Sequence, residues 1–335
     1  MPNLNKWIAP TKLLMGVLAL LLVLPLDVTA QLGTDTFPGR PVTLVVPTTN
    51  GTGNDLLARQ LAPRLSERWK QPVIVENRAG ASGSIAADFV ARSAPNGATL
   101  LVTTAAFSMV PPLLKNLPYN VLKDFAPVGM LAVGSFAFTV NPAMPVKTFN
   151  EFLALVRAAP GKYNYGSPGN GTAHHFGMEM MKQHFNIDVV HVPYKGAAGM
   201  ITDLIGGQVH AVLMPIPAAM PHVRSGKVRL VAVTGRGRSP GAPEVQTFTE
   251  QGTDYMDRID GWTGVLAAAA TPRAIILRIN QDFKAVMESP AMLDLVLKDG
   301  GNVLRLSTPE EFTEVLKIDL ARWGKLAADA KIAAD

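Results

Sequence analysis

Residues Thr48 to Asp55 read T-T-N-G-T-G-N-D and join two segments of different periodicity. Ahead of them, Val42 to Val46 (V-T-L-V-V) has the apolar run of a buried strand and is closed by Pro47. Behind them, from about Leu56 to Trp69, Leu57, Leu61 and Leu65 recur at helical spacing. The order is strand, Gly-rich turn, helix start. Glycines let a backbone turn tightly and approach a ligand closely. The first N–H groups of a helix have no partner within it and attract anions. An ordinary strand-to-helix connection also favours Gly, Asn and Asp, so the reading of this turn depends on the rest of the chain.

Outward from that turn the same grammar recurs. Val73 to Asn77 is a second strand, and the turn Arg78 to Ser84 (R-A-G-A-S-G-S) leads into a helix over Ile85 to Ser93. Ala98 to Thr103 is a third strand. Phe107 to Tyr119 is irregular and proline-rich, and Phe125 to Val140 holds two further apolar runs. Asn141 to Pro145 is a hinge candidate. Thr148 and Glu151 form a capping box for a helix to Ala158. Tyr163 to Thr172 (Y-N-Y-G-S-P-G-N-G-T) is again strand, turn and helix start. A strand over Val189 to Val192 and a turn at Lys195 to Ala198 follow, then strands at Val209 to Met214 and Arg229 to Thr234. Gly261 to Ala268 is a late strand, with helices over Ile275–Glu288, Ala291–Asp299 and Pro309–Ala328. Alternating strands and helices predict α/β architecture with mainly parallel sheets. No sequence repeat is visible.

Composition narrows the function. The chain has 335 residues, 48% apolar and 17% charged, enough to bury a large core in two domains. Net charge is +5 without a Lys/Arg run; Arg236-Gly237-Arg238 is the densest basic spot, so nucleic-acid binding has no support. Lys6 and Lys12, then apolar Leu13 to Leu26, then Val28-Thr29-Ala30, make a secretory signal peptide over residues 1–30, cleaved after Ala30. Its apolar run is shorter than the ~20 residues a membrane span needs. The chain has no cysteine, which excludes disulfides, thiolate metal sites and a lipidated N-terminal cysteine. An exported, cysteine-free protein fits a bacterial periplasm.

Reactive-residue motifs are missing. There is no G-x-x-x-x-G-K-[ST], and Gly51 and Gly53 are followed by Leu56, not a third glycine. Asp55 is read as a helix cap. His174, His175, His184 and His191 lack zinc-site spacing; one of the adjacent pair is expected to cap or pack, the other to be exposed. Gly166-Ser167-Pro168-Gly169 is not a nucleophile elbow, and Pro168 removes a backbone N–H that an oxyanion would need there. No catalytic residue, cofactor or metal is expected. Four turns remain, Thr48–Asp55, Arg78–Ser84, Ser167–Thr172 and Lys195–Ala198, suited to a small carboxylate bound by backbone N–H groups.

The residues also resemble a family, the substrate-binding proteins of tripartite tricarboxylate transporters, or Bug proteins. The resemblance rests on F-P-G-R-P-V-T-L-V-V-P (Phe37 to Pro47), G-N-D-L-L-A-R (Gly53 to Arg59), Q-P-V-I-V-E-N-R-A-G-A-S-G (Gln71 to Gly83) and L-P-Y-N-V-L-K-D-F-A-P-V (Leu117 to Val128). It continues through P-G-K-Y-N-Y-G-S-P-G-N-G-T-A-H-H (Pro160 to His175), H-V-P-Y-K-G (His191 to Gly196), D-L-I-G-G-Q-V (Asp203 to Val209), G-K-V-R-L-V-A-V-T (Gly226 to Thr234) and S-T-P-E-E-F (Ser307 to Phe312).

The resemblance implies an α/β, two-lobed, periplasmic-binding-protein type II fold with the ligand cleft between the lobes. Lobe 1 is expected over 31–139 and 252–335, lobe 2 over 140–251. It implies capture of a small organic or aromatic carboxylate for a membrane permease of one small and one large subunit, by a monomer. The alternatives are the same cleft serving a sensor for a membrane kinase, and a periplasmic hydrolase. Expected ligand-binding residues are Thr48, Asn50, Gly51, Thr52 and Gly53 from the first turn, and Ser167, Asn170, Gly171 and Thr172 from the second, with Lys195 adding charge. The family's first turn commonly has an aromatic where Thr48 stands and glycine where Thr52 stands. It often has Asp where this chain has His210 and again at Met214, and that second Asp would hold an amino group. The expectation is therefore a ligand without an ammonium group, with Phe107 and Met214 as an apolar wall.

Overall fold

The structure is a computed structural model that describes residues 37–332, apart from 115, 236, 260, 300 and 301, and leaves out the side chains of 257, 258 and 297–299. The expected signal peptide and its cleavage site lie outside the described residues.

The strands are β1 Val42–Val46, β2 Val73–Asn77, β3 Thr99–Thr104, β4 Phe125–Gly134, β5 Phe136–Val140, β6 Asn164–Ser167, β7 Val190–Pro193, β8 Ala211–Pro215, β9 Arg229–Val233, β10 Gly261–Ala268 and β11 Asn302–Leu304. The helices are α1 Gly53–Trp69, α2 Ser84–Ala91, α3 Ala106–Met109, α4 Phe149–Ala158, α5 Ala173–Phe185, α6 Ala197–Gly206, α7 Ile216–Arg224, α8 Arg273–Met287, α9 Pro290–Asp299 and α10 Pro309–Asp329. Short α3 and β11 were not foreseen.

Two sheets form, in the orders β11-β4-β10-β3-β1-β2 and β7-β6-β8-β5-β9. β1 pairs parallel with β2 and β3, and β6 pairs parallel with β7 and β8. β10 lies antiparallel between β3 and β4, and β5 antiparallel between β8 and β9. The sheets are therefore mixed rather than mainly parallel. The cause is an exchange: each sheet takes its reversed strand just after the chain has arrived from the other sheet. The shared order, 2-1-3-reversed-4, is a structural repeat that the sequence does not display.

The first crossing is short. β4 ends at Gly134 and β5 starts at Phe136, with only Ser135 between them. The expected boundary at 139/140 and the hinge at Asn141–Pro145 fall one strand too late. Asn141 is already tied into the second sheet's surroundings, its side-chain amide donating to Leu204 O at 2.7 Å and its N–H to His210 O at 3.0 Å. The return crossing lies between Val233 and Gly261.

Local sequence explains the helix limits. Thr148 and Glu151 cap α4 reciprocally, and Thr308 and Glu311 do the same for α10. The largest apolar cluster is continuous across both sheets. It runs from Val45 and Leu101 through Phe138 and Phe176 to Trp323 of α10. Phe176 and Trp323 meet edge-on at 5.4 Å, so the C-terminal helix packs on a helix of the second sheet. A depression of about 460 Å³ lined by Ala126, Arg273, Ile276, Pro309 and Glu314 lies at the entering end of β4, opposite the end where β1 to β3 emit their turns.

Asp282 of α8 ties that helix to α1. Its buried carboxylate accepts from Arg68, from Trp69 Nε1 at 2.7 Å and from Arg278 Nε at 2.7 Å. Removing the carboxylate leaves the buried Trp69 Nε1–H without its acceptor, whereas Arg68 and Arg278 reach solvent. Asp282→Ala is expected to lower unfolding free energy by about 1–3 kcal/mol, read as a reduced urea midpoint with unchanged slope.

Candidate functional site

The turns sit at the C-terminal ends of parallel strands, the edge where open α/β sheets bind ligands. The first two belong together. Asn77, at the end of β2, donates to Thr48 O at 3.0 Å, and the N–H of Arg78 donates to Val46 O at 2.9 Å. A Cβ on Gly83 would lie 3.0 Å from Pro47 Cβ, so glycine there lets the second turn close on the first. Residues 80 to 83 all have positive φ, from +44° to +127°. Ala81 and Ser82 hold that conformation without being glycine, a strain that tends to mark functional loops.

Asp55 organises the first turn. Its side chain is 1% exposed. It accepts the Gly51 N–H at 2.7 Å, Arg59 Nε at 3.1 Å and Asn77 Nδ2 at 2.8 Å. Burial alone would raise its pKa, but the Gly51 N–H, Arg59 and Asn77 outweigh burial and hold the carboxyl below its ordinary range. Asp55 is thus not the cap of α1 but the third helical residue, reaching back past Thr52. The spacing T-x-x-D from Thr52 to Asp55 carried that signal.

The side chains of the turn face inward. The hydroxyls of Thr48 and Thr52 are hydrogen-bonded to each other at 2.5 Å, and Asn54 Oδ1 lies 3.0 and 3.1 Å from them as an acceptor for whichever hydrogen that bond leaves over. Thr52 therefore gives no side-chain cap to α1. Asn54 is 7% exposed, and its Nδ2 is buried without a hydrogen-bond partner among the described residues. Asn50, Gly51 and Gly53 are exposed. Gly51 needs its φ of +85° for the turn. Two expectations are corrected here: the Gly51 N–H and the threonine hydroxyls are consumed within the turn. What the turn leaves exposed is the start of α1 at Gly53, with the Asn54 amide buried beneath it. The sequence reading passed over Asn54 and Asn77.

The second turn is joined to the Lys195 turn, since Tyr194 N–H donates to Ser167 O at 2.9 Å and Gly196 N–H to Pro168 O at 3.0 Å. Ser167 is fully buried. Its Oγ lies 2.7 Å from His191 Nε2 and 3.0 Å from Gly169 O. The serine–histidine pair that no sequence motif revealed thus exists in space, but inside the turn, as a tie between β6 and β7. Thr172 Oγ1 donates to Gly169 O at 2.8 Å and caps the His175 N–H. The Gly171 N–H donates to His175 Nδ1 at 3.1 Å. The hydroxyls of Ser167 and Thr172 and the Gly171 amide are therefore internal bonds, not open donors, because a tight turn satisfies its own groups first. Asn170 is half-buried and Lys195 exposed.

Gly171 also meets the other side of the molecule. A Cβ there would lie 2.3 Å from Leu113 Cδ1, on the segment that follows α3. Neither adjacent histidine is exposed, contrary to expectation. His175 is buried and bonded, and His174 Nδ1 is buried without a partner among the described residues, its ring edge-on to Phe136 at 5.5 Å. Burial lowers the His174 pKa to about 4.

Phe107 and Met214 are core residues, not a cleft wall. Phe107 stacks on Tyr119 at 5.8 Å and meets Phe125 edge-on at 5.1 Å. Met214 is 2% exposed in the apolar cluster of the second sheet. Alternation along β8 sends it inward. His210 precedes β8, at the end away from the turns, with Nδ1 2.7 Å from Asn164 Oδ1.

Two lobes that exchange reversed strands, with paired Gly-rich turns at the strand ends, define the type II periplasmic-binding-protein class. Comparison places the chain within it. A family model described as tripartite tricarboxylate transporter family receptor matches residues 57–331, and the chain belongs to that family. It is similar to Protein BugT of Bordetella pertussis, 31% identical over 299 residues, covering 88% of this chain and 91% of that one. A Cupriavidus necator protein named for the gbd 5' region, UPF0065, is 36% identical over 261 residues, 78% of this chain and 79% of that one. Among solved structures, R. palustris Rpa4515 with adipate has 31% identity and TM-score 0.74, covering 89% of this chain and all of that one. MatC (Rpa3494) from Rhodopseudomonas palustris with bound malate has 27% identity and TM-score 0.71, covering 87% and 99%.

Asp55 gives a pH test. Its lowered pKa means that its stabilising contribution is present above the unfolded value near ~3.9 and is lost as pH falls through the folded value. Asp55→Asn is expected to cost about 1–3 kcal/mol at pH 7. In urea unfolding the gap to wild type holds down to about pH 4 and closes below it.

Proposed function

We propose that the protein captures a small dicarboxylate in the periplasm and delivers it to a tripartite tricarboxylate-type permease, without chemical turnover. The observation that carries this reading is the first turn: an uncapped helix start at Gly53 and Asn54 beside a buried, unpartnered Asn54 amide. Those are donors without a formal positive charge, the set that suits a carboxylate. The second turn would take the opposite end of the ligand with Asn170 and the start of α5. The adipate and malate of two similar structures have this chemistry. Lobe closure would follow from ligand contacts made to both turns.

An amino acid suits the site less. The carboxylate nearest the first turn, Asp55, is already occupied by Gly51, Arg59 and Asn77. Export by a signal peptide cleaved after Ala30, a two-subunit permease and a monomeric receptor complete the proposal.

Thermal unfolding against mono-, di- and tricarboxylates, aromatic acids and amino acids tests it. A dicarboxylate at 100 times its dissociation constant is expected to add ~2.7 kcal/mol, with aspartate and glutamate giving none. Gly171→Val, which forces a side chain into Leu113, and Gly51→Val, strained at φ +85°, are expected to abolish the shift. A shift from amino acids alone would overturn the assignment.

A further inference from the structure

The second turn is built on a stack of rings. His191 of β7 lies face to face with His175 of α5, centroids 4.0 Å apart and planes 19° apart. Tyr165 of β6 stacks on His191 at 4.8 Å. Each histidine holds a different point of the turn: His191 Nε2 holds Ser167 Oγ, and His175 Nδ1 accepts the Gly171 N–H. The two bonds respond differently to a proton. Ser167 Oγ also has Gly169 O within reach, so a charged His191 donates Nε2–H to the hydroxyl and the hydroxyl donates to Gly169. Charged His175 has no such option. With a proton on Nδ1 it becomes a donor facing the donor at Gly171.

Tyr165, Glu179, Lys182 and His174 lie around the pair. Tyr165 donates its hydroxyl to Glu179 Oε1 at 2.6 Å, and burial with Glu179 pushes its pKa up, so it stays neutral. Glu179 is paired with Lys182 at 2.7 Å. His174 stays neutral well below pH 6. Two stacked imidazoles also resist carrying two charges.

We propose that the His175–His191 stack is the positioning element of the second turn, and that it makes ligand capture acid-sensitive because only neutral His175 can hold the Gly171 amide. Neither ring is assigned a ligand contact. His175 acts through Gly171, and His191 through Ser167. This rests on the dicarboxylate reading only for its effect on affinity; the effect on the turn stands without a ligand.

Two measurements decide it. The first is an NMR pH titration of the protein without ligand, following the imidazole nitrogens of His175 and the Gly171 amide. At pH 7.5 His175 is expected to carry its proton on Nε2. On acidification from pH 7.5 the Gly171 amide signal is expected to move with the His175 titration. A proton on Nδ1 at pH 7.5, or a Gly171 amide indifferent to His175, overturns the proposal. The second uses adipate as probe in calorimetry. The dissociation constant is expected to rise as His175 takes up its proton on acidification. His175→Asn keeps an acceptor oxygen near the Nδ1 position but does not titrate, and is expected to flatten that rise. Subtracting its profile also removes adipate's own protonation. An equal rise in His175→Asn overturns the proposal. No adipate binding at any pH counts against the dicarboxylate reading, and the NMR titration then decides the positioning role alone.

Discussion

The buried carboxylate of Asp55 is the constraint on which the first half of the site depends. It binds a turn amide, a helix guanidinium and a strand-end asparagine at once. Those three groups come from the turn, from α1 and from β2. One side chain thus fixes the angle at which α1 leaves β1 and the place where β2 ends. Its negative charge is neutralised by Arg59 and by oriented N–H dipoles, so the helix start remains an electropositive end. The residues that make the turn rigid are therefore not the residues left to meet a ligand.

The second turn solves the same problem with neutral rings. His191 and His175 take the place that a carboxylate takes in the first turn, and each secures one backbone or hydroxyl group. A carboxylate keeps its charge through the physiological range, whereas an imidazole does not. The two halves of the site are thus held by different chemistry, although both are strand-turn-helix units of the same shape. Leu113 against Gly171 brings the first-lobe segment after α3 onto the second turn.

The strand exchange gives this arrangement its frame. β5 follows β4 after a single residue, and β10 returns to lie between β3 and β4. The second sheet is one contiguous piece of chain, Phe136 to Val233, and the first sheet is split around it. The continuous core from Val45 to Trp323 passes between the sheets. A receptor that acts by moving two lobes has an advantage in a first crossing as short as Ser135, because few backbone angles then need to change there.

Much of this was legible from the chain. Periodicity marked β1, α1 and the helices capped by Thr148 and Thr308, because local patterns of burial and capping are written in neighbouring residues. The glycines marked the turns, because positive φ and close approach leave few other choices. The ordered motifs marked the family. What the chain could not show was which donors a turn spends on itself. Asp55 looked like a cap until its contact with Asn77, twenty-two residues on, was seen. Phe107 and Met214 read as wall or core with equal ease, and only packing placed them inside. His175 and His191 stand on different elements, and no spacing rule pairs them. Strand polarity and the 134/136 crossing also came from tertiary structure, since sheet partners lie far apart in sequence. Local conformation is settled by neighbours along the chain; hydrogen-bond partners and burial are settled by neighbours in space.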